Sequence, residues 1–297
     1  MKRAVLPRYH ALDILTFALT RIKAGQRVVL VVLTEISGAS ARPIGTPMIV
    51  CENGEYAGYL SNGCVDADIA LHAKTALKDG KSKTVRYGAG SPYLDVRLPC
   101  GGGITAAVIP DPNIDALEMC LNNLMARQSI TFSLGELAPA QHYYPPLHIC
   151  SAGRGENLLF FVKTAIAAGI SVQVLCPDEN EVEALSCLGA TMVPFNARDD
   201  TLVTMDRWTA FITLFHDHDY ELPLLQEALA SEAFYIGAMG SRNTHAARLH
   251  ALAIAGADKA ALSRLRGPIG LVPSMRDAGR LSVSVLAEII DAERTAF

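Results

Sequence analysis

The second half of the chain alternates short apolar strands with glycine turns and amphipathic helices, and this rhythm constrains the fold most. From Leu147 the order is strand, turn, helix and strand, in the segments LHIC, SAGRGEN, LLFFVKTAIAAG and ISVQVLC. Leu158, Val162 and Ala165 share one face of the intervening helix. Strands that are apolar on both faces are typical of a parallel sheet covered by helices on each side. The pattern predicts a βαβ unit.

Later segments extend this unit. They are AFITLF, a helix over 222–231, AFYIGAMG, a helix from Ser241 and the amphipathic helix VSVLAEIIDAERT. Alternation of this kind predicts a Rossmann-like, doubly wound α/β domain over 147–297.

The first half predicts a mixed α+β domain over 1–138. The predicted elements are a helix over 10–23, the strand RVVLVVLTEI, two strands in PMIVCENGEYAGYL, a helix over 66–78, the strands KTVRY, DVRLPC and GITAAVIP, a helix over 114–127 and the strand SITFSL. Asn53-Gly54 tolerates positive φ angles and predicts a two-residue hairpin turn. The segment LAPAQHYYPP has three prolines and no periodicity, so we expect the domain linker at 139–146. Two domains of about 150 residues suit a chain of 297 residues.

Charge and cysteine usage exclude several classes of protein. The net charge is −4 without basic runs, which argues against nucleic-acid and acidic-membrane partners. The strongest apolar run at the N-terminus, 28–33, is too short to cross a bilayer. Seven scattered cysteines fit thiols in a reducing compartment, so we expect a cytoplasmic protein. A homodimer is expected because that symmetry is the commonest.

Two glycine turns in the second half could bind anions. Ser151, Gly153 and Arg154 fall where a dinucleotide fold has its glycine loop, although a tight strand-to-helix turn explains them as well. The next strand ends in Cys176, where an acidic residue usually binds a ribose. This departure argues against ordinary NAD binding.

In YIGAMGSR, the other glycine turn, Gly240 precedes Ser241, a predicted N-cap, and Arg242 in the first helical turn. Either an anion rests there, or the glycines only allow a sharp turn beside a solvated arginine. The segment HDHDYE suggests a metal site, but it has no further ligands at a recognisable spacing. His216 remains a candidate for the ligand crevice at the carboxyl ends of the strands.

Cys64 and Cys100 are the candidate reactive thiols. Each lies at a glycine-bearing turn, and Cys64 also precedes a predicted helix N-terminus, whose dipole favours a thiolate. The amides of Gly101 and Gly102 could form an anion-binding concavity beside Cys100. Such a pair suits a ligand that combines a soft metal with anionic oxygens.

Six segments together resemble the XdhC/CoxI family of xanthine dehydrogenase accessory proteins. They are SGASARPIGTPMIV, LSNGCVDADIALHA, LPCGGGI, YIGAMGSRNTHAARLHAL, RLRGPIGL and SVSVLAEII. The resemblance implies a chaperone, not an enzyme, that binds molybdenum cofactor as molybdopterin or its cytosine dinucleotide form. It implies protection of the cofactor during sulfuration by a cysteine desulfurase and insertion into an apo molybdenum hydroxylase.

The same resemblance assigns residues to the two ends of the cofactor. Those at the molybdenum end are Cys64 and Cys100, which would contact the metal, with Arg42, Gly63, Gly101 and Gly102. Those at the phosphate or nucleotide end are Ser151, Gly153, Arg154, Gly240, Ser241 and Arg242. The chain departs from the family pattern at Ser151, usually glycine, and at Cys176, usually aspartate.

Two enzymatic hypotheses stay open. The strand, loop and helix pattern of the second half also fits an NAD(P)-dependent oxidoreductase. A cysteine nucleophile with His216 as its base is the other.

Overall fold

The computed structural model describes most of the chain. The described residues are 2–6, 9–88, 91, 101–135, 137–195, 204–215 and 220–297. The chain divides into two compact units, Met1–Pro146 and Leu147–Phe297. No helix among the described residues is both long enough and apolar enough to span a bilayer.

The first unit is a six-stranded mixed sheet with helices on both faces. Its elements are β1 (Lys2–Arg3), α1 (Ala11–Lys23), β2 (Val28–Ser37), β3 (Pro47–Cys51), β4 (Glu55–Ala57), α2 (Asp66–Asp79), β5 (Lys83–Gly88), β6 (Gly103–Pro110), α3 (Ile114–Met125), β7 (Ile130–Phe132) and β8 (Gln141–Tyr143). The strand order is β1-β4-β3-β2-β6-β5, and β7 and β8 form a separate antiparallel pair.

The central strand β2 explains this layering. Its even-numbered side chains from Val28 to Val32 pack in one cluster with α1 and α3. Its odd-numbered side chains from Val29 to Leu33 pack in a second cluster with α2. Because successive side chains of a strand point to opposite faces, an apolar run is needed where both faces are buried.

Several connections of the first unit meet at one end of its sheet. Val32 pairs with Pro47, and both Ser37 and Gly88 pair with Gly103. β2, β4 and β5 therefore end where β3 and β6 begin. The connections that leave β2 and β4, and the one that leads into β6, share this end.

Two predictions in the first unit were wrong in detail. The β3–β4 hairpin has a three-residue loop, because β3 ends at Cys51 and β4 begins at Glu55. Within this loop only Gly54 has a positive φ, of 86°. The predicted linker 139–146 contains β8, and the Tyr143 hydroxyl donates to the Gly45 carbonyl at 3.0 Å. Buried Tyr143 thus ties this proline-rich stretch to the first unit. The predicted strand DVRLPC lies outside the described residues.

The second unit confirms the Rossmann-like prediction. Its elements are β9 (His148–Gly153), α4 (Glu156–Ala167), β10 (Ser171–Leu175), α5 (Glu179–Cys187), β11 (Thr191–Val193), β12 (Thr209–Leu214), α6 (Glu221–Ala230), β13 (Tyr235–Ala238), α7 (Arg242–Ile254), α8 (Lys259–Ser263), β14 (Leu265–Arg266) and α9 (Ala278–Ala296). All neighbouring strands are parallel, in the order β11-β10-β9-β12-β13-β14. This order places a topological switch point between β9 and β12.

Candidate functional site

Cys64 lies exposed on a loop that a buried carboxylate holds in place. The loop joins β4 to α2, and Asp66, the first residue of α2, is fully buried. Its carboxylate accepts hydrogen bonds from the amides of Leu60 at 2.8 Å, Ser61 at 2.9 Å and Gly63 at 2.6 Å. Three bonds to one ionised group fix the loop that presents the thiol.

This geometry defines what Gly63 does. Its N–H is used by Asp66, so it is not free to donate to a ligand. Its φ of 104°, next to a φ of 54° at Asn62, forms the turn that precedes Cys64. Arg3 adds a positive charge, with its Nη2 atom 3.5 Å from Asp66 Oδ2.

The glycines that follow Cys100 lie at the same end of the sheet. A Cβ on Gly102 would come within 2.5 Å of the Ala39 carbonyl oxygen, so only glycine fits there. Gly101 has a φ of 70° and open space around it. Cys100 itself lies outside the described residues.

A hydrogen bond links the start of α2 to the strands at this end. The Tyr87 hydroxyl, near the end of β5, donates to Asp68 Oδ2 at 2.6 Å. Tyr87 pairs with Ile104, the second residue of β6. The loop of Cys64 and the segment of Gly101 and Gly102 are thus held at one end of the sheet.

Arg42 follows β2 at this same end but lines a separate cavity. Arg42 is half-buried. Together with residues at the start of α1 and residues of β8, it lines a cavity of about 250 Å³. Cys64 is not among the lining residues. Arg42 and Cys64 therefore do not share this cavity.

In the second unit, the residues predicted to form the glycine loop lie partly in β9 and partly in the turn that follows it. Ser151 is inside β9, fully buried and paired with Val174 and Ile212, so the expectation that it belongs to the glycine loop was wrong. Gly153 ends β9, where a Cβ would meet Leu214 at 3.0 Å. Arg154 is exposed in the turn.

A carboxylate already occupies the start of α4. The N–H of Gly155, the N-cap, donates to both carboxylate oxygens of Glu181 at 2.9 and 2.8 Å. The Cys176 thiol lies 3.5 Å from Glu181 Oε2. Burial, and then the nearby carboxylates, raise the pKa of Cys176 to about 11, so the thiol stays protonated and donates. Sequence reasoning did not predict that Glu181 would accept from the Gly155 amide. The acidic stretch after β10 was the one sequence signal for such a role.

The second glycine turn has the predicted capping geometry. Ser241 is the N-cap of α7, and its Oγ accepts from the Thr244 amide at 3.1 Å. Gly240 has a φ of 147°, and Arg242 is exposed. The predicted N-cap is confirmed.

A cavity of about 440 Å³ opens beside this turn, following β12 and β13. Residues from five segments line it: Asn157, Phe215, Met239, Gly240, Ser241, Thr244, Pro268, Ile269, Val272, Ser274, Met275, Arg276 and Leu281. Gly240 and Ser241 were predicted, whereas Arg242 is not a lining residue. Sequence reasoning missed Asn157 and Arg276, because neither belongs to a recognisable motif.

A buried ion pair supports the floor of this cavity. Arg248 Nη2 lies 2.8 Å from Glu221 Oε1 and donates to the Met239 carbonyl at 2.8 Å. The Thr213 hydroxyl donates to Glu221 at 2.6 Å. These bonds tie β12, α6 and α7 to the turn after β13.

The described residues contain no group of three or more His, Cys, Asp or Glu side chains that could hold a metal. His216 and the rest of HDHD lie outside the described part of the chain.

Comparison with known proteins identifies relatives over both units. The model of the XdhC Rossmann domain matches residues 147–289, and that of the XdhC and CoxI family matches residues 21–88. The chain is 35% identical over 280 residues to the molybdenum cofactor insertion chaperone PaoD of Escherichia coli (strain K12), covering 93% of this chain and 86% of that protein. A Bacillus halodurans crystal structure described as a xanthine dehydrogenase has the same fold, with a TM-score of 0.78, 20% identity and 96% coverage of each chain.

Proposed function

Because the chain belongs to the XdhC and CoxI family, we propose that it is a molybdenum cofactor chaperone. In this proposal it binds the cofactor, protects it during sulfuration and inserts it into a xanthine dehydrogenase-type molybdenum hydroxylase. Its relative from Escherichia coli is named for molybdenum cofactor insertion, which supports the coarser part of the role.

One observation of the site carries the proposal furthest: the exposed thiol of Cys64 stands on a loop fixed by buried Asp66. Thiolate sulfur is a soft ligand that suits a thiophilic metal. A ligand group that is already held in place loses little conformational entropy when it binds. This donor chemistry fits the molybdenum end of the cofactor.

We assign Cys64 and Cys100 to that end, together with the exposed residue Gly101. Gly63 and Gly102 act through the backbone, since the first shapes the Cys64 loop and the second allows close contact with Ala39. Arg42 is proposed only as a charge at the same end of the sheet.

At the phosphate end, the geometry favours Gly240 and Ser241 over the β9 segment. The amides at the start of α7 are suited to a phosphate. Ser151 and Gly153 have their backbones within the sheet, so they are not part of the proposed phosphate site. Arg154 and Arg242 are exposed cations that could approach a phosphate from solvent.

The proposal implies protein partners. A cysteine desulfurase would supply the sulfur that becomes the terminal sulfido ligand of the metal, and an apo molybdenum hydroxylase would receive the cofactor. A homodimer remains part of the proposal on grounds of symmetry.

The structure gives the oxidoreductase alternative little support. A dinucleotide would place its pyrophosphate at the start of α4. There the Gly155 amide already donates to Glu181, whose negative charge would repel a phosphate.

The thiol assignment is tested by replacing Cys64 and Cys100 with alanine together and measuring molybdenum retained after co-expression with cofactor biosynthesis. We expect at least a tenfold loss of bound molybdenum, because both proposed metal ligands are removed. Cys187→Ala is the control, since this thiol is also exposed but lies on α5 of the other unit. Undiminished retention in the double variant would reject the assignment.

A further inference from the structure

We infer that the 440 Å³ cavity beside α7 binds a phosphate ester carried on a flat heterocycle, with Arg276 as its cationic anchor. This inference rests on the proposed function and deepens it. Two parts of a molybdenum cofactor have this chemistry, the pterin phosphate and the nucleotide of the dinucleotide form.

The rim of the cavity offers donors to an anion. The amide of Gly240, a lining residue, donates to no acceptor among the described residues. Arg276 lines the same cavity, is exposed and forms no ion pair within the described chain. An unused amide next to the N-terminus of a 13-residue helix and an arginine on the same cavity are groups that suit phosphate oxygens.

A buried cation reinforces the rim from beneath. Arg248 is 3% exposed, and its Nη2 atom lies 3.6 Å from where a Gly240 Cβ would stand. Its Nε and Nη1 atoms have no hydrogen-bond partner in the described part of the chain. The same Nη2 atom pairs with Glu221 and donates to the Met239 carbonyl, so the guanidinium fixes the turn that carries Gly240, while buried donors such as Nε and Nη1 are seldom left unused.

Part of the lining is apolar and suits a ring. Phe215, Met239, Ile269, Val272 and Leu281 form this part. Cavities of roughly 300–1,000 Å³ with apolar walls and a few polar groups are typical of small-molecule sites.

One polar group that lines the cavity, the Asn157 side-chain amide, makes only a weak hydrogen bond. The Asn157 side-chain amide, on the first turn of α4, donates to the Met239 sulfur at 3.3 Å. Sulfur is a poor acceptor, so a carbonyl or ring nitrogen of a ligand would replace it readily. Asn157 can thus orient a heterocycle.

The segment opposite α7 is anchored before any ligand binds. The Val272 amide donates to the Ser284 hydroxyl of α9 at 2.8 Å, and the Leu271 amide donates to the Ser284 carbonyl at 3.3 Å. The wall that carries Val272 is therefore preorganised.

The other helix N-terminus of this crevice limits the length of the ligand. At α4 the Gly155 amide is taken by Glu181. A second phosphate site of the dinucleotide type is thus closed, and the cavity suits one heterocycle with its phosphates.

The anion contact is tested by calorimetric titration of the full chain with CDP, 6-hydroxymethylpterin diphosphate and inorganic pyrophosphate. We expect Arg276→Gln to weaken the binding of the preferred organic diphosphate and of pyrophosphate by at least tenfold. Arg280→Gln is the matched control, because Arg280 is exposed four residues later and does not line the cavity. Tighter binding of CDP would identify the nucleotide as the natural group, and tighter binding of the pterin compound would identify the pterin phosphate.

The ring contact is tested by filling the cavity. Val272→Trp should abolish binding of the organic diphosphates while changing the affinity for pyrophosphate less than threefold. Val283→Trp is the control, since Val283 is 60% exposed on α9 and is not a lining residue. Equal loss in both tryptophan variants would overturn the assignment of the ring.

The outcomes separate this site from the chaperone role. Absence of binding by all three probes, or equal affinities in Arg276→Gln and the native chain, overturns the cavity site even if the protein retains molybdenum. Binding that depends on Arg276 supports the site, and if such a protein retains no molybdenum, the chaperone proposal fails and the site stands.

Discussion

At the scale of single residues, burial separates the thiols of the described chain into two groups. Cys51, Cys120, Cys150 and Cys176 are buried, whereas Cys64 and Cys187 are exposed. Burial raises the pKa of Cys51 and Cys120 to about 11 and that of Cys150 to about 12, as it does for Cys176. A thiol whose pKa is about 11 is only about one thousandth thiolate at pH 8.

Alkylation of the native protein by iodoacetamide should follow this division. At pH 8 we expect Cys64 and Cys187 to react within minutes and the four buried thiols to react only after unfolding, as measured by peptide mass spectrometry. Raising the pH toward 10 should speed the reaction of Cys176 before that of Cys150, because Cys176 has the lower pKa. Denatured protein is the control. Rapid modification of Cys150 in native protein would contradict the assigned burial.

Residue-level chemistry could be predicted where it depends on neighbours in the chain. Ser241 was recognised as an N-cap because the capping bond to Thr244 spans three residues. The role of Glu181 could not be predicted in this way, because its partner Gly155 lies 26 residues away and contacts it only in the folded domain. Arg276 likewise reaches its cavity through tertiary structure.

At the scale of elements, the loop before α2 depends on one carboxylate. The N-cap residue Val65 contributes no side-chain hydrogen bond. Asp66, in the first turn of α2, supplies the stabilising hydrogen bonds in its place. It satisfies amides of the loop that precedes it. The negative charge also lies at the positive end of the α2 dipole.

We therefore expect Asp66→Asn to lower the free energy of unfolding by about 2–4 kcal/mol, because an NH₂ group would face amide donors inside the protein. Denaturant unfolding measures this loss, and faster alkylation of Cys64 would report the loosened loop. The control Asp79→Asn, at the exposed end of α2, should change stability by less than about 0.5 kcal/mol. A stability of Asp66→Asn equal to that of the control would refute the anchoring role.

Elements with a strong periodicity were predicted closely, and irregular ones were not. The helix expected over 10–23 is Ala11–Lys23 with His10 as its N-cap. The proline-rich segment gave no periodicity, yet β8 forms there by pairing with β7, and Tyr143 anchors it to the Gly45 carbonyl 98 residues away. Asn53-Gly54 predicted the hairpin, but the loop length depends on the register of β3 with β4.

At the scale of the whole molecule, the sequence predicted the class of each half because both sheets have central strands covered on two faces. Such strands are apolar on both faces where they are covered, as over 28–33 of β2 and over 210–212 of β12. The strand order was less accessible, because periodicity shows that a strand exists and not which strand it pairs with. In the second unit the observed parallel order β11-β10-β9-β12-β13-β14 is that of a doubly wound fold.

Each unit has its own core, and this predicts how the separated halves behave. The clusters on the two faces of β2 lie within Met1–Pro146, and those on the faces of β12 lie within Leu147–Phe297. A fragment of residues 147–297 should therefore fold alone, with one cooperative thermal transition in circular dichroism. Because every described residue that lines the cavity belongs to this unit, the fragment should bind CDP or the pterin diphosphate within threefold of the full chain, and residues 1–146 should bind neither. A folded 147–297 fragment without this affinity would show that the first unit is needed to complete the site.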